Sequence, residues 1–324
     1  MAVGFRKIIR LSAGFVIALV LLIAAGWLAF VPWPKEPAYG FVMAWGGPGD
    51  GPGEFNDPTG IAIAGSEVFV SDARNHRIQV FDLDGAFKRA FGEDRLGRPM
   101  NLTIAQGELY VADYWNDRIE VFSLDGEYVR GLGTSGGGEG EFNAPGGLAV
   151  TPDGDLYVAD FYNQRVQHLR ADGSYVGQWG KTGEISVRAG GFNYPTAVAL
   201  GRDGTLYVAD GYNDRVQAFT RDGRFANKWG GPFAIDIYGP FNGWFATVTG
   251  IAVDDAGDVY VADFYNHRIQ KFTADGVFLT AFGAPGQGAG EFNHAIAVAI
   301  APDGTVFVAD FGNNRIQKWR PGAD

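Results

Sequence analysis

Residues 261–272 read VADFYNHRIQKF, and the chain writes nearly the same twelve letters five more times. The copies are VSDARNHRIQVF (70–81), VADYWNDRIEVF (111–122), VADFYNQRVQHL (158–169), VADGYNDRVQAF (208–219) and VADFGNNRIQKW (308–319). Six near-copies call for a repeat architecture before any chemistry is considered. Their aspartates, Asp72, Asp113, Asp160, Asp210, Asp263 and Asp310, lie 41, 47, 50, 53 and 47 residues apart, a period that suits four-stranded propeller blades.

Around the third copy the strands can be read directly as GGLAV, DLYVAD, RVQHL and SYVGQWG, with Asp153-Gly154 and Asp172-Gly173 supplying tight turns. The second strand is apolar on both faces. It is therefore expected to be covered on both sides by neighbouring blades, with Tyr157 and its equivalents Phe69, Tyr110, Tyr207, Tyr260 and Phe307 as packing residues. The last repeat ends at RIQKWRPGAD without a fourth strand, and the missing pattern stands at the front of the domain as FVMAWG, 41–46. Pairing the two would close the ring and hide two sheet edges. The expected fold is all-β: a six-bladed β-propeller of four-stranded blades over residues 39–324, closed by an N-terminal strand.

The units G-x-G-x-G-E-F-N-x-P-x-G-[IL]-A-V and [LV]-Y-V-A-D-x-x-N-x-R-[IV]-Q-x-F resemble NHL repeats, and the likeness covers residues 39–320. It implies the propeller strongly and the function weakly. The family includes exported binding and sensor domains, propellers of tripartite-motif ubiquitin ligases, RNA-binding propellers and a peptide-amidating lyase. No RING, B-box or coiled-coil segment precedes the propeller in this sequence.

Residues 1–38 are a different material. Arg6, Lys7 and Arg10 precede Leu11–Val31, 21 residues without a charge, which at about 1.5 Å per residue matches the roughly 30 Å hydrocarbon core of a bilayer. The expectation is one transmembrane signal-anchor helix with the propeller on the extracytoplasmic side; a cleaved signal peptide is the alternative. Pro32, Pro34 and Pro37 then read as a short, stiff spacer. Of the whole chain's 26 bases and 37 acids, 22 and 36 remain from Tyr39 onward, net -14. Such a surface repels phosphate backbones, so nucleic acid is not an expected partner. The absence of Cys removes disulfides, thiolate metal sites and cysteine nucleophiles.

Alternation along the first strands puts Gly60/Ala62, Asn101/Thr103, Gly147/Ala149, Ala197/Ala199, Gly250/Ala252 and Ala297/Ala299 on the central channel. No carboxylate, His or Lys stands among them. The propeller lactonases hold calcium with channel carboxylates and amides, and here only Asn101 and Thr103 are offered. The amidating lyase carries zinc histidines after the Pro that opens an inner strand; Pro58, Pro99, Pro145 and Pro195 are followed by Thr, Met, Gly and Thr. Only VADGYNDRV, with Tyr212, resembles the lyase segment that carries a functional tyrosine. His76, His168, His267 and His294 form no close sequence pair of metal-ligand type. No metal site, cofactor or catalytic residue is expected.

The repeated Asp and Arg, five apart, occur in six copies, whereas catalysis needs one asymmetric constellation; they read as turn-bracing ion pairs. Gly-rich runs such as GTSGGGEGEFN lack a strand-to-helix context and read as flexible inter-blade loops. What varies is the pair of residues after each Asp. These supply Tyr114, Trp115, Phe161, Tyr162, Tyr212, Phe264, Tyr265 and Phe311, expected around one mouth of the channel, with Ala73-Arg74 leaving the first repeat bare. The connection 231–248, rich in rings and holding Tyr238 and Trp244, is expected either to cap the channel or to anchor a partner. An aromatic face of this kind suits a protein, peptide or glycan. The expected function is a membrane-tethered binding platform. A lyase or hydrolase acting from the loops and a structural component of an envelope complex are the alternatives.

Overall fold

The computed structural model describes residues 15–22, 26 and 30–322. Among these residues the chain forms six four-stranded antiparallel sheets, blades I to VI, at 58–91, 99–132, 145–180, 195–229, 248–282 and 295–320. Blade III shows the pattern: Pro145–Val150, Leu156–Asp160, Arg165–Leu169 and Tyr175–Gly180, each paired to the next. Its tight turns place Gly154 at φ 93° and Gly173 at φ 86°, backbone that a side chain rarely adopts. Blade VI contributes three strands, and Gly40–Gly46 lies antiparallel to Arg315–Arg320 as its outer strand.

The core is divided into six apolar clusters, one at each junction between consecutive blades. Tyr157 and Ala159 of blade III meet Val198, Leu206 and Val208 of blade IV, and Phe307 and Ala309 of blade VI meet Ile61, Val68 and Val70 of blade I. The ring aromatics of the second strands are buried at every junction. Because the sheets stand radially, their faces look at neighbouring blades and their innermost edges look at the axis.

That geometry corrects the expected channel wall. Residues of both parities, Ile61 with Ala62 and Leu148 with Ala149, line the same bore, because the wall is the edge of the strands rather than one of their faces. The small residues serve close approach instead. A methyl group on Gly60 would stand 2.3 Å from the Met100 carbonyl oxygen, and one on Gly250 would stand 2.6 Å from that of Ile296. The side chains that line the bore are apolar apart from Asn101 and Thr103, and strand backbone supplies the rest of its polar surface.

Of the apolar run expected to span a membrane, Phe15–Leu22 is helical, and 11–14, 23–25 and 27–29 lie outside the described residues. No helix among the described residues is long and apolar enough to cross a membrane. The spacer is fastened: the amides of Lys35 and Glu36 donate to Leu279 O, Glu36 pairs with Lys271, and Tyr39 stacks on Phe282 while its hydroxyl bonds that of Tyr260.

Candidate functional site

Each inner strand carries a bulge at its start, between Pro58 and Gly60 in blade I and at the matching place in the other five. A bulge re-aims the extra side chain. Here it turns the residue after the strand-opening position, Thr59, Met100, Gly146, Thr196, Thr249 and Ile296, toward the upper mouth of the channel, where they form the floor of a cavity of about 280 Å³. Strict alternation along the strand cannot reveal this ring. The Pro that precedes four of its members was the available signal.

The walls are the turns after the second strands. Tyr114, Phe161, Tyr212, Phe264 and Tyr265 line the cavity, with Arg98, Asn101 and Thr247 between them. Phe161 touches Tyr114, Tyr162, Tyr194 and Tyr212 at ring distances of 6.2, 5.1, 4.8 and 6.4 Å, so the rings brace one another. Tyr212 is 48% exposed and Tyr265 57%, which leaves their polar edges in solvent. Tyr162 stands exposed beside Tyr194, and Trp115 is exposed with the Arg98 guanidinium 5.8 Å from its ring centre. Phe311 packs on Phe264 and does not line the cavity. Tyr238 and Trp244 lie elsewhere: Trp244 packs on Phe241 and donates its indole N–H to Phe30 O.

Arg98 is the one charged residue in the lining, and no carboxylate stands there. Its nearest ion-pair partner is Asp57 at 4.0 Å. Arg98 Nε and Thr249 Oγ1 are buried without a hydrogen-bond partner among the described residues. The matching hydroxyls are satisfied, Thr59 Oγ1 by Pro99 O at 2.8 Å and Thr196 Oγ1 by Val248 O at 2.9 Å, each on the next blade. Burial raises the Tyr212 and Tyr114 hydroxyls above the ordinary tyrosine value, so both rings stay neutral near pH 7 and serve as hydrogen-bonding groups.

The repeated polar residues brace the frame. In blade III, Asp160 Oδ1 accepts the Asn143 amide at 2.8 Å, and Oδ2 accepts Asn163, Arg165 Nε and Gln167 at 2.9, 2.8 and 3.2 Å. Arg165 Nη2 then donates to the carbonyls of Gly138 and Glu141, and Glu141 Oε2 accepts the Gly138 amide. The Gly-rich connection is thus held along its length, not flexible as its composition suggested. A second clasp escaped sequence reading. The residue between the motif's Asn and Arg is left-handed in every blade, and Asp117, Gln164, Asp214, His267 and Asn314 each accept the amide just before the next blade's inner strand. This places His267 against His294, rings 4.5 Å apart. Among the described residues no three His, Cys, Asp or Glu side chains group as a metal site.

Comparison with known proteins fits this architecture. Residues 55–81, 142–169, 192–219, 245–272 and 292–319 match the NHL repeat. The chain is 50% identical over 42 residues to the protein brain tumor of Drosophila melanogaster, and 51% identical over 37 residues to the B-box type zinc finger protein ncl-1 of Caenorhabditis elegans. These matches take in 13% and 11% of this chain and 4% of each relative's length. Among solved structures, virginiamycin B lyase from Staphylococcus aureus is similar at 18% identity and TM-score 0.54, over 83% of this chain and 86% of that one. A protein of unknown function from Bacteroides thetaiotaomicron gives 16%, 0.64, 86% and 76%, and the WD40 propeller domain of Doa1 gives 11%, 0.58, 87% and 96%. At these identities the likeness shows the fold alone. Five NHL repeats together with six blades support the NHL-repeat propeller family.

Proposed function

We propose that this NHL-repeat propeller is a recognition module whose upper mouth holds a peptide segment bearing a carboxylate, and that residues 11–31 tether it to a membrane with the propeller on the extracytoplasmic side. The observation that carries the reading is the cavity's donor set: one guanidinium, one amide and one unpartnered hydroxyl inside a wall of rings, with no carboxylate in the lining and Asp57, 4.0 Å from Arg98, outside it. At about 280 Å³ the cavity sits just under the usual range of small-ligand sites. It suits a chain terminus or one acidic side chain better than an oligosaccharide. Arg98 would take the carboxylate by charge-assisted hydrogen bonds, and the rings of Phe161, Tyr212 and Phe264 would cover the apolar part.

Binding of a short-peptide library with free and amidated C-termini to the full chain tests this. Arg98→Met is expected to weaken binding at least tenfold and to abolish any preference for the free carboxylate, and Tyr212→Ala to weaken both peptide sets alike. Affinities untouched by both substitutions would sink the reading. A covalent change in a bound peptide, seen by mass spectrometry, would make the module a lyase or hydrolase instead.

A further inference from the structure

The connection 231–248 turns apolar side chains outward where 46–57, 133–144 and 283–294 turn glycines, and it carries more of them than 181–194, which exposes Ile185 and Val187. Phe233 is 70% exposed and Tyr238 72%, and Ile235 and Ile237 also face solvent. The display is enforced by the backbone. Phe233, Ala234 and Asp236 have φ of 60°, 49° and 65°, three left-handed residues that are not glycine, interrupted by Ile235 at φ -134°; this is costly unless their surroundings hold them. The Ala234 carbonyl is held by Arg215 Nη1 at 3.0 Å and Lys228 Nζ at 3.1 Å. The connection carries a single charged residue, Asp236; burial first, and then this neighbouring carboxylate, push the Asp214 carboxyl up to about 6.

This patch adjoins the end of the N-terminal apolar run. Phe30 packs edge-on against Phe233 at 5.4 Å, Asn242 Nδ2 donates to Pro32 O at 3.3 Å, and Trp33 is 76% exposed. Beyond Trp33 the chain is clamped to blade V through Leu279 and Lys271. The run therefore leaves the propeller at a fixed place, beside the exposed rings. Tyrosine and tryptophan, apolar in body and polar at one edge, concentrate where a bilayer meets water.

We propose that Trp33, Phe233, Ile235, Ile237 and Tyr238 form a seat in the headgroup region of a lipid bilayer, holding the propeller in one orientation; this rests on the tethering reading above. Lipid is the occupant because the patch is continuous with a run long enough to span a bilayer and is almost free of charge. The net -14 of the propeller makes a zwitterionic headgroup without net charge, such as phosphatidylcholine, the suitable surface.

The chain has no cysteine, so single cysteines can be labelled cleanly. Full-length Tyr238→Cys and, on the opposite face, Asp153→Cys would carry an environment-sensitive fluorophore and be reconstituted into phosphatidylcholine vesicles containing lipids with a nitroxide near the headgroup. The chain is expected to float with the vesicles, the label at 238 to lose at least half its emission and the label at 153 to keep it. Adding Phe233→Ser and Ile237→Ser should reduce the quenching at 238 severalfold. Quenching that survives those two changes would belong to the label itself and would overturn the seat. A chain that floats with both labels equally unquenched overturns the seat and leaves the tether. A chain that does not float overturns both.

Discussion

Blades II and III face each other across one junction and anchor their upper loops by different means. In blade III the aspartate at the end of the second strand gathers Asn163, Arg165 and Gln167, and the arginine reaches on to loop carbonyls. Blade II keeps Asp113, which accepts the Gly97 and Arg98 amides and Asn116, but its Arg118 turns to Glu120, which stands where the other blades have glutamine. The cause is the shorter connection 92–97, which lacks the EFN segment and its preceding glycines. Arg98 is also missing from the left-handed residues that open the inner strands of the other five blades. Four of the cavity's residues, Arg98, Met100, Asn101 and Tyr114, come from this blade and the connection that leads into it, the stretch that the NHL repeat does not match. The regular blades build a frame, and the irregular one supplies the charge and the amide that the frame surrounds.

The largest effect should come from removing a regular arginine. Arg215 in blade IV is fully buried, and it binds Asp210 and the carbonyls of Val187, Arg188, Gly191 and Ala234. Arg215→Ala strands a buried carboxylate and several acceptors at once, and is expected to cost about 3–5 kcal/mol in urea unfolding. Arg118→Ala should cost only about 1–3 kcal/mol, because its guanidinium is partly exposed and its partner Glu120 can take up a proton. Equal losses would show that blade II is no less dependent on its arginine than the rest.

A middle-sized effect should appear at the inner strands. Gly250→Ala drives a methyl group to 2.6 Å from Ile296 O and 2.8 Å from Ala297 Cα, backbone that can yield only by moving a blade. A loss of about 1–3 kcal/mol is expected. Blade II carries Asn101 at this position, and blade III answers with Gly146 and Gly147; a methyl on Gly147 would stand 3.1 Å from Asn101 Cβ. Asn101→Ala should therefore cost well under about 1 kcal/mol. A Gly250→Ala protein as stable as Asn101→Ala would mean that the blades are free to spread.

Much of this frame could be read from the sequence, because a repeated residue reports a repeated environment. Six aspartates at near-even spacing imply six blades, and the alternation in LYVAD identifies the ring that packs between them. The turn residues that carry Tyr114, Phe161, Tyr212, Phe264 and Tyr265 were likewise visible as the variable pair in a constant motif, and these five line one cavity. The floor was not visible, since a bulge changes which side chain faces the axis without changing any letter of the strand. Arg98 was missed for a related reason: it sits outside the conserved twelve letters, in the connection that departs from the pattern. The connection holding Tyr238 and Trp244 is expected to cap the channel or to anchor a partner; the chain packs it onto residues 30–32, a contact across some 200 positions that no local pattern encodes.

The smallest effect tests whether blade II gives up stability for its different chemistry. Glu120 is fully buried, and burial raises its carboxyl above the ordinary value of 4.5, with Arg118 pulling the other way. A carboxyl that is protonated more easily in the folded than in the unfolded chain makes folding take up protons. Its contribution to stability is therefore lost as pH rises from about 4.5 through the folded value, and above that window the penalty is full and constant. Glu120→Gln, which copies the regular blades, removes the titration. At neutral pH the variant is expected to be more stable by roughly 1 kcal/mol, and the advantage should shrink as pH falls toward 4.5. Urea midpoints at a series of pH values would show the two curves converging on the acid side. A variant less stable than the parent at neutral pH would mean that the Arg118–Glu120 pair is worth more than its burial costs, and that blade II is braced as firmly as its neighbours by another route.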